Sequence, residues 1–175
     1  MALATLLEKF SYDPKQSVGS AGYQFNHTMI RVKRLQESID FYSNVLGFVP
    51  VYEQVNDDAA FTIVYLIRVP LSAIPDDDEA RKEWVLSQTG VLELTYNHGT
   101  ENKPDFHYHN GNDEPQGFGH ICVSVPDVQA ACERFETLNV AFQKRLSDGR
   151  MKHIAFIKDP DGYWIEILQP TPLDA

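Results

Sequence analysis

The sequence predicts an α+β domain made of two βαβββ modules, on three observations. First, the chain repeats itself. HTMIRVKRLQESIDFYSNVLGF (27–48) and HICVSVPDVQAACERFETLNVA (120–141) both open on His and alternate as a strand through Val32 or Val125. Both then turn into an amphipathic helix carrying an aromatic (Phe41 and Tyr42, or Phe135) and stop at Leu-(Gly/Asn)-(Phe/Val). Second, each unit is followed by a β-rich stretch: FTIVYLIRVP then VLELTYN, and HIAFIKDP then GYWIEIL. Third, the interval from His27 to Glu93 is 66 positions and that from His120 to Glu166 is 46, a difference of 20. A polar insertion in the first half, roughly residues 71–90, is about that long.

In chain order, residues 1–22 form an arm outside the repeat, and 23–98 form the first module. Within it, LSAIPDDDEARKEWVLSQTG is the insertion, with a short helix around Asp78 to Leu86. Residues 99–116, rich in Asn, His, Gly and Pro, read as a linker. The second module, 117–170, ends in a hairpin whose turn is Asp159-Pro-Asp-Gly162. Residues 171–175 are a tail.

A chain of 175 residues that is 43% hydrophobic and 23% charged has a globular balance. A net charge of −10 argues against nucleic acid or an anionic membrane as partner. An anionic small substrate would need a local basic cluster. No apolar stretch approaches the ~20 residues of a membrane span, and no signal pattern is read at the N-terminus. Cys122 and Cys132 make neither a CxxC motif nor a disulfide framework, and they read as buried small residues. The expected location is cytoplasmic.

The repeat places a His at the start of each first strand and a Glu within each last one: His27 and Glu93, His120 and Glu166. A carboxylate inside an apolar strand must be exposed, neutralised, paired or metal-bound. Side-chain alternation puts His27 with Met29 and Arg31, His120 with Cys122 and Ser124, Glu93 with Val91 and Thr95, and Glu166 with Trp164 and Leu168. All four can face one concave surface while Ile30, Val32, Ile121, Val123 and Val125 pack under the helices. Two imidazoles and two carboxylates suit a borderline divalent cation. Taken singly, such a His or Glu is more often structural; recurrence in register across two modules favours the metal. His98, His107, His109 and His153 have no repeat counterpart, and the HYHN stretch (107–110) lies in the linker.

These residues resemble glyoxalase I, a family of the vicinal-oxygen-chelate superfamily. The motifs are HTMIRV…SIDFYSNVLGF (27–48), LELTYNHGTE (92–101), YHNGN…GFGHICVSVPDV (108–128) and IKDPDGYWIEILQP (157–170). The resemblance covers about 23–170. It implies an eight-stranded open barrel and a homodimer with each site across the interface. It also implies metal ligands at His27, Glu93, His120 and Glu166. The insertion and arm are similar to the zinc-using branch, so Zn²⁺ is expected, with Ni²⁺ or Co²⁺ as alternatives. The implied reaction isomerises the methylglyoxal–glutathione hemithioacetal to S-D-lactoylglutathione through an enediolate. Glu166 would be the base and Glu93 would serve the opposite face. Arg31, Asn97, Arg150 and Met151 match glutathione-contacting positions. His120 and the basic Lys144 extend this substrate set. Gln116 stands where many members have Arg, which weakens a carboxylate clamp there.

Three rival readings stand beside this one. A ring-cleaving dioxygenase would hold iron with two His and one carboxylate, which the fourth candidate ligand disfavours. A thioester epimerase also needs a base and an enolate-stabilising metal. A metal-free module that sequesters a small ligand predicts no stoichiometric metal and no turnover.

Overall fold

In the computed structural model, which describes residues 2–170, the alternation of HTMIRV becomes β1 (His27–Val32) and the amphipathic run after it α2 (Leu35–Asn44). Next come β2 (Val49–Asn56), β3 (Phe61–Ile67), α3 (Asp78–Leu86) and β4 (Val91–Asn97). The second module gives β5 (His120–Ser124), α4 (Val128–Thr137), β6 (Phe142–Lys144), β7 (Ile154–Lys158) and β8 (Trp164–Leu168). A short helix, α1 (Leu3–Lys9), lies in the N-terminal arm and buries none of its residues. The tail 171–175 lies outside the described residues.

The eight strands form two four-stranded sheets of the same order, β1-β4-β3-β2 and β5-β8-β7-β6. In each sheet the first strand runs parallel to the last, and the other pairs are antiparallel. The α+β class with two βαβββ modules is therefore the observed architecture. The edge strands β2 and β6 are implied by the βαβββ pattern but are not marked by a motif. Both carry a register irregularity, which interrupts the period-2 signal.

The helix stops repeat as well. Gly47 (φ +75°) and Asn139 (φ +57°) both take the left-handed conformation after α2 and α4. Glycine and asparagine are the residues that tolerate it. The returning amides then close the helix ends, Phe48 N–H to Tyr42 O at 3.0 Å and Val140 N–H to Phe135 O at 2.9 Å.

One core joins the modules. Ile30, Val32, Leu92 and Leu94 of the first sheet share a cluster with Ile157, Ile165 and Ile167 of the second, closed by Tyr42 of α2 and Phe135 of α4. Polar links cross the same junction. Tyr42 Oη donates to Asp159 Oδ2 at 2.8 Å, and the Lys33 amide donates to Asp161 at 3.0 Å. Arg134 of α4 donates to the carbonyls of Asn44 and Val45 at the end of α2. The turn between β7 and β8 is thus a clasp on the first module. Burial pushes the Asp159 carboxyl up to about 6, against the lowering effect of its Tyr42 and backbone hydrogen bonds.

The linker is fastened to the first module. Lys33 Nζ donates to Phe106 O at 2.7 Å, and Thr100 Oγ1 to Lys33 O at 2.9 Å. Gly111 (φ +88°) lies so close to Phe118 that a Cβ would stand 1.9 Å from its carbonyl oxygen. Among the described residues no helix is long and apolar enough to cross a membrane.

Candidate metal and active site

Strand register determines where the ligand candidates stand. His27 pairs with Val91 across β1–β4, which sets Glu93 two residues further along, opposite Met29. His120 pairs with Trp164 across β5–β8, which sets Glu166 two residues further along, opposite Cys122. The same two-residue offset brings each imidazole against its carboxylate. His27 Nε2 is 3.0 Å from Glu93 Oε2, and His120 Nε2 is 3.1 Å from Glu166 Oε2. An aromatic from the third strand completes each pair. Tyr65 lies opposite Glu93 and edge-on to His27 at 5.6 Å, and Phe156 lies opposite Glu166 and edge-on to His120 at 5.2 Å.

The two carboxylates are held differently. Glu93 is buried, and its Oε1 accepts from Thr95 Oγ1 at 3.1 Å. The Tyr65 phenol is pushed up to about 12 by its burial, then by the charge of Glu93 and a hydrogen bond to it. Glu166 meets His120 and the Cys122 thiol. Although the residue as a whole is exposed, partial shielding of its sulfur from solvent pushes that thiol up to about 11, and Glu166 adds to the shift. The first carboxylate is therefore the more tightly restrained. Cys122 is exposed on the ligand face rather than buried, while Cys132 is buried as expected.

The four candidates do not meet within one chain. Among the described residues no three His, Cys, Asp or Glu side chains converge closely enough to hold an ion. The expectation of one shared concave surface gives way to two half-sites, one on each sheet. Alternation explains this. Ile30, Val32, Leu92 and Leu94, and likewise Ile165 and Ile167, point into the shared core. The intervening residues, which carry the ligand candidates, therefore face away from the junction.

Each half-site fits a divalent cation as far as one pair can. Two ligand atoms ~2.1 Å from one ion and at right angles stand about 3.0 Å apart, close to both observed separations. His27, Glu93, His120 and Glu166 are all N or O donors of the type such ions take.

The remaining expected residues divide the same way. Arg31 is exposed beside an open cavity lined by Met29, Tyr108, His109, Phe118 and Tyr163. Asn97 donates from Nδ2 to Tyr108 Oη at 2.8 Å. On the second module Lys144 Nζ donates to the carbonyls of Met151 (2.6 Å) and Ile154 (2.8 Å), which shapes the loop that exposes Arg150 and Met151. Gln116 is exposed in the linker. In HYHN, His109 Nδ1 accepts from the Gly111 amide and so stabilises the turn.

Sequence reading placed Thr95 beside Glu93, as observed, but missed Asn26, Tyr65 and α3 as neighbours of the site. Aligning FTIVYLI with HIAFIK through the repeat would have flagged Tyr65 and Phe156. The insertion packs beside the first half-site. Val85 of α3 forms a second small core with Val51, Ile67 and Val91, and Trp84 packs against it. Arg81 Nε donates to Val51 O at 2.6 Å.

Comparison with known proteins agrees with this fold. Residues 24–167 match the Glyoxalase/Bleomycin resistance protein/Dioxygenase superfamily. A lactoylglutathione lyase of Pseudomonas putida is 62% identical over 154 residues, covering 88% of this chain and 89% of its own. A second, from Pseudomonas aeruginosa, is 51% identical over 149 residues, covering 85% and 84%. Among solved structures, the trypanothione-dependent glyoxalase I of Leishmania major superposes with a TM-score of 0.63 at 32% identity, covering 85% of this chain and 87% of that one.

Proposed function

Since the chain belongs to the Glyoxalase/Bleomycin resistance protein/Dioxygenase superfamily, and lactoylglutathione lyases are its relatives at 62% and 51% identity, we propose that it is a lactoylglutathione lyase. It isomerises the hemithioacetal of methylglyoxal and glutathione to S-D-lactoylglutathione. The observation that carries the reading is the His–Glu contact repeated at one register in both modules.

A complete ligand set needs both half-sites, and one chain holds them apart. We therefore place the site between two copies, with His27 and Glu93 of one protomer facing His120 and Glu166 of its partner. A Zn²⁺ ion held there (Ni²⁺ and Co²⁺ suit the same donors) would act as a Lewis acid on the substrate's vicinal oxygens and offset developing negative charge. Glu166, the less restrained carboxylate, takes the proton from C1 and returns it to C2 while the hydroxyl proton on the C1 oxygen passes to the C2 oxygen, so the product is an isomer and no external redox partner is needed. Glu93, tied to Thr95 and Tyr65, stays in place on the opposite face. Arg31 and Asn97 from one protomer, with Lys144, Arg150 and Met151 from the other, would receive the glutathione moiety. Gln116 offers a hydrogen bond where a cation would clamp a carboxylate. Two unpaired thiols fit a reducing, cytoplasmic setting.

The test is thioester formation at 240 nm from methylglyoxal and glutathione, after metal removal and separate return of Zn²⁺, Ni²⁺ or Co²⁺. Turnover restored by at least one ion is the expected result. No turnover with any of them refutes the lyase.

A further inference from the structure

Asn26, the residue before the first ligand candidate, has its side chain fully engaged. Its Nδ2 donates to two backbone carbonyls at the end of α3 and just beyond it, Val85 O at 3.0 Å and Gln88 O at 2.7 Å. Reversing the amide would set Oδ1 against both carbonyl oxygens, so its orientation is decided by its partners. Oδ1 therefore faces His27 Nδ1 at 2.7 Å. An amide oxygen can only accept, so Nδ1 carries the hydrogen. The neutral ring then has no hydrogen on Nε2, and that nitrogen stands 3.0 Å from a Glu93 carboxylate oxygen. A lone pair facing a carboxylate at that distance is repulsive until a positive charge lies between them.

We infer that Asn26, anchored by α3, is a positioning residue that holds His27 in its Nδ1–H form and keeps Nε2 open toward Glu93 for a cation. The insertion 71–90 is thus a brace for the first half-site. Its rigidity comes from the packing of Val85 against Val91 and from the Arg81–Val51 hydrogen bond. The Asp77 side chain, which accepts the Ala80 amide at 2.9 Å, caps the other end of α3. Among the described residues the second module has no such device. Gly119 stands where Asn26 stands in the first module, and its carbonyl accepts from Asn112 Nδ2 at 2.7 Å. Among the described residues no group bonds to His120 Nδ1, so its Nε2 is free to carry a hydrogen toward Glu166 Oε2 at 3.1 Å. The two histidines, equivalent in the repeat, are prepared differently.

The role as a metal brace rests on the lyase reading, so the experiment has two arms. Ring ¹⁵N spectra of metal-free protein report the His27 tautomer in the native sequence, in Asn26→Ala and in Asn26→Asp. Competition titrations report the affinity of each for Zn²⁺, Ni²⁺ and Co²⁺ given alone. The native protein should hold Nδ1–H, and both variants should become a mixture, because Asn26→Ala has no acceptor and Asn26→Asp sets its second oxygen against the two carbonyls of α3 and gives up its anchor. Asn26→Ala should also bind metal about 10- to 100-fold more weakly, with the KM for the glutathione adduct unmoved. An Asn26→Ala protein that keeps Nδ1–H, or that binds metal as the native protein does, overturns the proposal. So does unfolding of both variants, which would make Asn26 merely structural. If the native protein takes up none of the three ions, the lyase reading falls separately, and the spectra alone decide the tautomer.

Discussion

Tyr65 faces Glu93 across β3–β4, and Phe156 takes the same place opposite Glu166 across β7–β8. The hydroxyl is therefore the chemical difference between two otherwise matching aromatic positions. Tyr65→Phe should pack without strain, since the second module already accommodates Phe there. Loss of one hydrogen bond to the buried carboxylate should cost about 1.5–3 kcal/mol, read as a shift in the urea midpoint at constant slope. Turnover should fall by less than about tenfold, because Thr95 still restrains Glu93.

The looser hold on Glu166 gives a separate expectation. Glu166→Gln keeps the shape and removes the base, so kcat should drop by about 10²- to 10⁴-fold. The thermal midpoint should stay near the native value. A variant that unfolds instead would make Glu166 a structural group.

A site shared between protomers predicts complementation. One chain carrying His27→Ala and Glu93→Gln, and another carrying His120→Ala and Glu166→Gln, should each be inactive. Refolded together in equal amounts they form mixed dimers with one intact site of two, so about a quarter of native activity should return. Persistent inactivity of the mixture, with dimers present by light scattering, would rule out the shared site.

The clasp at Asp159 predicts a pH signature in stability. Its folded carboxyl is raised from 3.8 to about 6, so the folded state binds the proton more tightly than the unfolded chain. The stabilisation this provides is complete below about pH 4 and is lost as pH rises through about 6. On the order of 3 kcal/mol is at stake for a shift of this size. Asp161 beside it shifts in the same direction, so the comparison must isolate one residue. Asp159→Asn should flatten this component of the stability curve between pH 4 and 6, measured by urea unfolding at each pH. An unchanged slope would show that burial at Asp159 is not felt as proton linkage.

Much of this protein is legible in its sequence, because local rules govern it. The repeat, the strand alternation of HTMIRV and HICVS, the insertion helix at Asp78–Leu86 and the left-handed stops at Gly47 and Asn139 follow from periodicity and backbone preference. So do the four ligand candidates, since matching positions in two modules must have matching neighbours. Tertiary structure alone decided what those neighbours are. It set the register that puts each His against its Glu, and brought Asn26 to carbonyls 59 and 62 residues away. It also turned the two helix-side faces into one core, which sends the ligand faces outward. The physical reason is range: dihedral preference and side-chain alternation act over a few residues, whereas register and buried hydrogen bonds depend on which distant segments pack together.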